Sequence, residues 1–186
     1  MTIRSLKQYP CKFKPCGKMF TKYKSTDKHC SRPCYLADFA QKELNKNIAE
    51  MKMNVIKLST LKSLAKKQVQ KWVRLRDKDL PCISCGTNYT QQWDGGHYLK
   101  AEIYSGVIFH TKNINKQCCN CNDHLQGNII EYRKGMIKKY GEATVLELEE
   151  LGNKIRKYTW TREELISITE TYKLKIKNGD FTDQAA

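Results

Sequence analysis

Residues 81–128 read PCISCGTNYTQQWDGGHYLKAEIYSGVIFHTKNINKQCCNCNDHLQGN, and the reading of this stretch decides the fold. It holds five of the nine cysteines and three of the four histidines, with an Asp-Gly-Gly-His segment enclosed between two cysteine pairs. Cys82 and Cys85 form one C-x2-C, and Cys118 and Cys121 form a second after 32 intervening residues. Together they supply four thiolates for a tetrahedral zinc ion. Gly86 suits the tight backbone of such a knuckle. Choosing Cys119 instead would give C-x-C, so Cys119 reads as a free or buried thiol. Four thiolates leave zinc no open position for water, so this ion staples the fold and any chemistry comes from what lies between the pairs.

Between them, QWDGGHY at 92–98 reads as a strand-like lead-in, a glycine pair that frees the backbone, and a histidine facing a cleft. Asn113 follows sixteen residues beyond His97, and Asn122 comes directly after the last cysteine, with His124 at the expected start of a helix. Phosphodiester hydrolysis needs an activated water, and imidazole, with an ordinary pKa of about 6.5, takes that proton near neutral pH. A divalent cation offsets the charge of the transition state. Asp94 and Asn122 offer oxygen ligands suited to magnesium or manganese. Plainer readings stand beside these. His97 could be a core histidine, Asn113 and Asn115 turn residues, and Asn122 the cap of the following helix. His124 fits a phosphate or metal contact and a solvated helix position equally, and His110, after an apolar run, reads as structural.

The order of a histidine, an asparagine five residues before a cysteine, and a C-x2-C followed at once by a polar ligand resembles the HNH or ββα-metal nuclease motif. Over 80–150, PCISCG, QWDGGHY, KQCCNCNDHLQGN and EYRKGMIKKYG resemble the NinG (Rap) family of lambdoid phage recombination proteins. The resemblance extends upstream through Trp72, Arg74, Arg76 and Asp77, and the N-terminal cysteine group is similar in kind more than in spacing. It implies a structure-selective endonuclease that cuts branched DNA, such as Holliday junctions and displacement loops, during phage recombination. By motif, His97 matches the general base, Asn113 the asparagine that braces the histidine-bearing hairpin, and Asn122 the metal ligand after the final cysteine. Many HNH sites carry a metal-binding Asp or His immediately before the base. This chain has Gly96 there, and its nearest carboxylate is Asp94.

The 186 residues, 40% of them apolar, fill one modest core plus smaller metal-stapled modules. Of the net charge of +15, residues 1–80 contribute nearly all, with 20 Lys or Arg against 6 Asp or Glu. Such a field attracts a phosphate backbone without reading sequence. No long apolar span or lipidation motif points to a membrane, and no apolar run fits a signal peptide, so the expected location is the cytoplasm, that of a bacterial host if the origin is a phage. In a reducing cytoplasm nine cysteines in close clusters favour metal over disulfides.

Cys11, Cys16, Cys30 and Cys34 make a second four-cysteine set, which would need zinc to fold. His29 is a candidate to replace one of them, and Phe20 and Tyr23 are expected to pack over the ion. From Tyr35 to Lys78 neither proline nor glycine occurs, so helix is expected, broken near Ser59-Thr60. One face carries Leu61, Leu64, Ala65, Gln68, Trp72 and Leu75, expected against the nuclease module, and the other carries Lys62, Lys66, Lys67, Lys71 and Arg74 as a DNA track. Helices are expected over 128–140, 142–151 and from the capping box Thr161/Glu164 to Lys177, with 178–186 frayed.

The fold class is therefore α+β: an N-terminal zinc module (1–36), a basic helical arm (37–79), a zinc-stapled, HNH-like treble-clef core (80–150) and a C-terminal helical segment (151–186). The partners are branched or duplex DNA and other phage recombination proteins. Symmetrical resolution of a four-way junction needs two active sites, which argues for a homodimer. The rival reading is a non-catalytic zinc-finger protein that binds nucleic acid. A zinc deaminase is disfavoured, because the chain lacks His-x-Glu.

Overall fold

The computed structural model describes residues 7–183, with side chains 49, 50 and 52–54 left aside. It is a mixture of helices and two small antiparallel sheets, and it divides into two compact units at 56/57.

In the first unit β1 (Gln8–Pro10) pairs antiparallel with β2 (Met19–Thr21). The connection is a 3-10 turn, Lys14–Cys16, closed by Gly17 at φ +64°. Helix α1 (Arg32–Val55) follows, with Cys34 in its first turn. Phe20 is half-buried, but Tyr23 is fully exposed and covers nothing, contrary to the sequence expectation. His29 is engaged elsewhere than with the cysteines: its Nε2 lies 2.9 Å from Asp38 Oδ2, which also receives Lys42 at 2.5 Å.

The second unit opens with α2 (Leu58–Arg76). The helical break thus falls at 56–57, before the Ser59-Thr60 position expected, and the single arm anticipated over 37–79 is two helices in different units. The buried face of α2 is Leu61, Ala65, Val69, Trp72 and Val73; Leu64 lies outside it, 37% exposed. This face meets α5 (Arg162–Asn178) as well as the hairpin of β3 (Trp93–His97) and β4 (Ile114–Cys118). The Trp72 and Tyr172 rings meet edge-on with centroids 5.3 Å apart. Helix α5 begins with the expected capping box, in which Glu164 N donates to Thr161 Oγ1 and Thr161 N to Glu164 Oε2. Its far end is not frayed: Trp72 Nε1 donates to the Asp180 carbonyl at 2.7 Å, and Arg76 reaches Asp183 at 3.1 Å. The rest of that expectation, 184–186, lies outside the described residues.

Helices α3 (Ile129–Tyr140) and α4 (Glu142–Lys154) pack on each other around a core of Tyr98, Val107, Tyr132, Met136, Val145 and Leu148. A buried ionic network ties α2, β4 and α3 together. Asp77 accepts from Arg76 and from Lys139, each at 2.8 Å, and from the Lys116 amide. Burial works against ionising Asp77, and the two cations outweigh it, holding the carboxyl below its ordinary range. No helix among the described residues is long and apolar enough to cross a membrane.

Gly135 marks where the α3 backbone passes the first cysteine knuckle, since a Cβ there would stand 1.8 Å from the Ile83 carbonyl oxygen. Gly→Ala inside a helix ordinarily stabilises by about 1 kcal/mol. Here the neighbour is backbone held beside Cys82, so overpacking of about 1–3 kcal/mol should win. Urea unfolding of zinc-loaded Gly135→Ala should show a lower midpoint; an unchanged or higher one would overturn this reading of the contact.

Candidate metal and catalytic site

The cysteines gather as their spacing predicts. Cys82, Cys85, Cys118 and Cys121 form one group, and Cys11, Cys16, Cys30 and Cys34 another, with the ligand atoms of each group within 4.8 Å of one another. Thiolates about 2.3 Å from a tetrahedral zinc stand roughly 3.8 Å apart. The sulfurs of Cys85 and Cys118 are 3.7 Å apart, those of Cys16 and Cys30 3.6 Å, and those of Cys30 and Cys34 3.5 Å. Both groups fit zinc. In the second unit the thiolates also collect N–H donors, as anionic sulfur requires: Cys118 N to Cys82 at 3.4 Å, Cys121 N to Cys118 at 3.5 Å, and Asn128 Nδ2 to Cys121 at 3.4 Å. Gly86, at φ +72°, makes the knuckle turn. Cys119 stays outside the group, with its sulfur 3.4 Å from the Thr90 hydroxyl.

The four-cysteine group anchors the open end of a hairpin. Trp93, packed on the cysteines, pairs with Cys118, and the register runs through Asp94↔Gln117, Gly95↔Lys116 and Gly96↔Asn115 to His97↔Ile114. The glycine pair lies inside β3 without a left-handed φ, so its purpose is close approach and not the backbone freedom expected from sequence. A Cβ on Gly95 would stand 2.9 Å from the Gln70 side chain, whose Nε2 donates to the Gly95 carbonyl at 2.9 Å. A Cβ on Gly96 would stand 2.0 Å from Gln117 Oε1.

His97 ends β3 and lines a cleft of about 320 Å³ with Lys66, Gln70, Glu102, Asn122 and Gln126. Its Nε2 lies 3.0 Å from the Ile108 carbonyl. A carbonyl only accepts, so Nε2 carries the proton and Nδ1 keeps the lone pair. Burial lowers the His97 pKa to about 4, against the pull of the Ile108 carbonyl and with the help of the Lys66 cation. The imidazole is therefore neutral across the physiological range.

Asn113 is fully buried and laces the loop between the strands. Its Oδ1 accepts from Leu99 N at 2.8 Å, and its Nδ2 donates to the carbonyls of Leu99 at 3.2 Å and Val107 at 3.0 Å. It thus fixes the residue after Tyr98 and the residue before Ile108, and through them both sides of the His97 ring. Asp94 and Asn122 meet across the hairpin, with Asn122 Nδ2 3.3 Å from Asp94 Oδ2, while Gln92 donates to Asp94 Oδ1 at 2.8 Å. Asn122 does not cap the next helix. It lies in a π-helical turn, Asn120–His124, and the N-cap position of α3 is Asn128. His124, at the end of that turn and not at a helix start, is exposed and does not line the cleft. Asn115 is no turn residue: it is buried in β4, where Lys139 and Tyr140 donate to its Oδ1. His110 is largely buried, and its Nδ1 has no hydrogen-bond partner.

Of the expected DNA track, Lys67 and Lys71 are exposed, Lys62 and Arg74 half-buried, and Lys66 reaches the cleft itself. None of the five is ion-paired among the described residues. Sequence reading passed over Gln70, Glu102 and Gln126 as cleft residues. Only Gln70 had a signal, its place one turn beyond Lys66 on the same helix.

The chain spans about half the length of the curated relatives it matches. It is 42% identical over 114 residues to protein ninG of Escherichia phage lambda, covering 61% of this chain and 54% of that protein. To protein ninG of Salmonella phage P22 it is 41% identical over 114 residues, 61% of this chain and 55% of that protein. No solved structure matches. The family model described as Bacteriophage Lambda NinG protein matches residues 3–181, nearly the whole chain, and the chain therefore belongs to the NinG family.

Proposed function

We propose that this protein is a metal-dependent endonuclease that hydrolyses phosphodiesters in branched DNA, four-way junctions and displacement loops, in phage recombination. The observation that carries the reading is His97: a neutral, fixed imidazole with its lone pair on Nδ1, in one cleft with Asn122 and a lysine. In this reading Nδ1 takes the proton of the attacking water. Asn113 holds the loop that orients the ring, and Lys66 draws a phosphate to the base. Asp94 and Asn122 would hold magnesium or manganese, which would offset charge on the phosphate and the leaving oxygen. The remaining basic residues of α2 and the lysine-rich N-terminal module grip duplex arms, and a homodimer supplies the two active sites that symmetrical cutting needs.

The charge and the cysteine groups would serve a non-catalytic zinc-finger binder equally well. That alternative leaves the fixed histidine, the Asp94–Asn122 pair and the lysine beside them without a shared purpose. A labelled four-way junction, beside matched linear duplex, should be cut in magnesium or manganese and not in EDTA. Salt-sensitive binding with no cutting under either metal would favour the binder instead.

A further inference from the structure

Gln117 stands opposite Asp94 in the hairpin, so both side chains leave the same face of the sheet. It is completely buried. Its Nε2 donates to the Gly127 carbonyl at 2.7 Å and to Ser84 Oγ at 2.8 Å. Because the Gly127 carbonyl can only accept, the amide cannot be turned over, and Oε1 is committed to the other side. There it has no hydrogen-bond partner. A Cβ on Gly96 would lie 2.0 Å from this oxygen and 3.1 Å from Asn122 Oδ1, so both oxygens converge on the backbone of Gly96. The Asn122 amide nitrogen is turned the other way, toward the Asp94 carboxylate.

Gln117 Oε1 and Asn122 Oδ1 both approach Gly96, the Asn122 amide links them to the Asp94 carboxylate, and a buried acceptor without a donor is costly unless something positive satisfies it. We propose that Gln117 Oε1 is a third oxygen ligand, beside Asp94 and Asn122, for a hard divalent cation. An all-oxygen set with a single negative charge favours magnesium or manganese over zinc, and it leaves positions for water and phosphate. The assignment also accounts for Gly96: the place where a side chain before the histidine would stand is occupied by the Gln117 carbonyl. The purpose of the ion rests on the nuclease reading; its ligands do not.

The test uses the zinc-loaded full chain and Mn2+ as the probe, with free Mn2+ followed by electron paramagnetic resonance. Gln117→Met should weaken Mn2+ binding by about ten-fold or more. In the unaltered protein, Mn2+ should broaden the Gln117 side-chain amide resonance beyond detection, a readout that needs no variant to fold. The assignment is overturned if wild type binds no Mn2+, if that resonance persists with Mn2+ bound, or if folded Gln117→Met binds as wild type does. Junction cutting separates the two readings. Gln117-dependent Mn2+ binding without cutting leaves the ligand standing and sinks the nuclease, and cutting with Gln117-independent binding does the reverse.

Discussion

His97→Ala should bind a four-way junction as tightly as wild type and cut it about 10²–10⁴-fold more slowly, the usual contribution of a general base. On the proposed reading binding survives, because affinity for branched DNA would come from the lysines of α2, while the imidazole would meet only the water to be activated. The pH profile of wild type supplies an independent mark. Burial and Lys66 hold the His97 pKa near 4 in the folded protein, so the neutral, base-competent form persists as pH falls through 6.5. The acid limb of cleavage should therefore lie well below 6.5 and approach the lowered value. An acid limb at the ordinary histidine pKa, or a loss of binding in proportion to activity in His97→Ala, would count against the role assigned to this ring.

Cys118→Ser should release one zinc and unfold the second unit. The cysteine ends β4, its sulfur lies 3.7 Å from that of Cys85, and its backbone N–H donates to Cys82. A structural zinc site contributes on the order of 10 kcal/mol, which is comparable with the whole net stability of a domain, about 5–15 kcal/mol. Losing one of four thiolates therefore removes more than packing can replace. Cys119→Ser, one position along and outside the group, should keep both the zinc and the melting temperature. Zinc release measured with a chromogenic chelator, together with thermal melting of both variants, decides this. A soluble Cys118→Ser protein with undiminished zinc would refute the ligand set.

What the sequence disclosed and what it withheld divide along physical lines. The two cysteine groups were legible because a metal imposes close spacing on its ligands, and the start of α5 because a capping box is a local device. Asp94 meets Asn122 because β3 pairs with β4, whose last residue, Cys118, leads into the turn that carries Asn122. Features set by packing between distant segments were not legible. The glycine pair read as a source of backbone freedom, but Gly95 and Gly96 make room for Gln70 and Gln117, which are remote in sequence. The residues after α5 looked like a loose polar end, but Trp72 and Arg76 hold them down. Gln117 carries no signal of its own in the sequence; only the register sets it against Asp94.

The bond from Trp72 to the Asp180 carbonyl joins positions 108 residues apart. A ribosome adds about 5–20 residues per second, so α2 waits roughly 5–20 s after its own synthesis before α5 arrives to cover its apolar face. The four cysteines of the second unit are complete by Cys121, well before α5 exists. Zinc capture can therefore close the hairpin first and give the nascent α2 a surface to lie against, since α2 touches β3 and β4 as well as α5. In a growing chain the metal would act as a placeholder for a helix still to be made. Metal starvation during translation would then expose Val69 and Trp72 to other chains, and its yield penalty should exceed that of stripping zinc from finished protein.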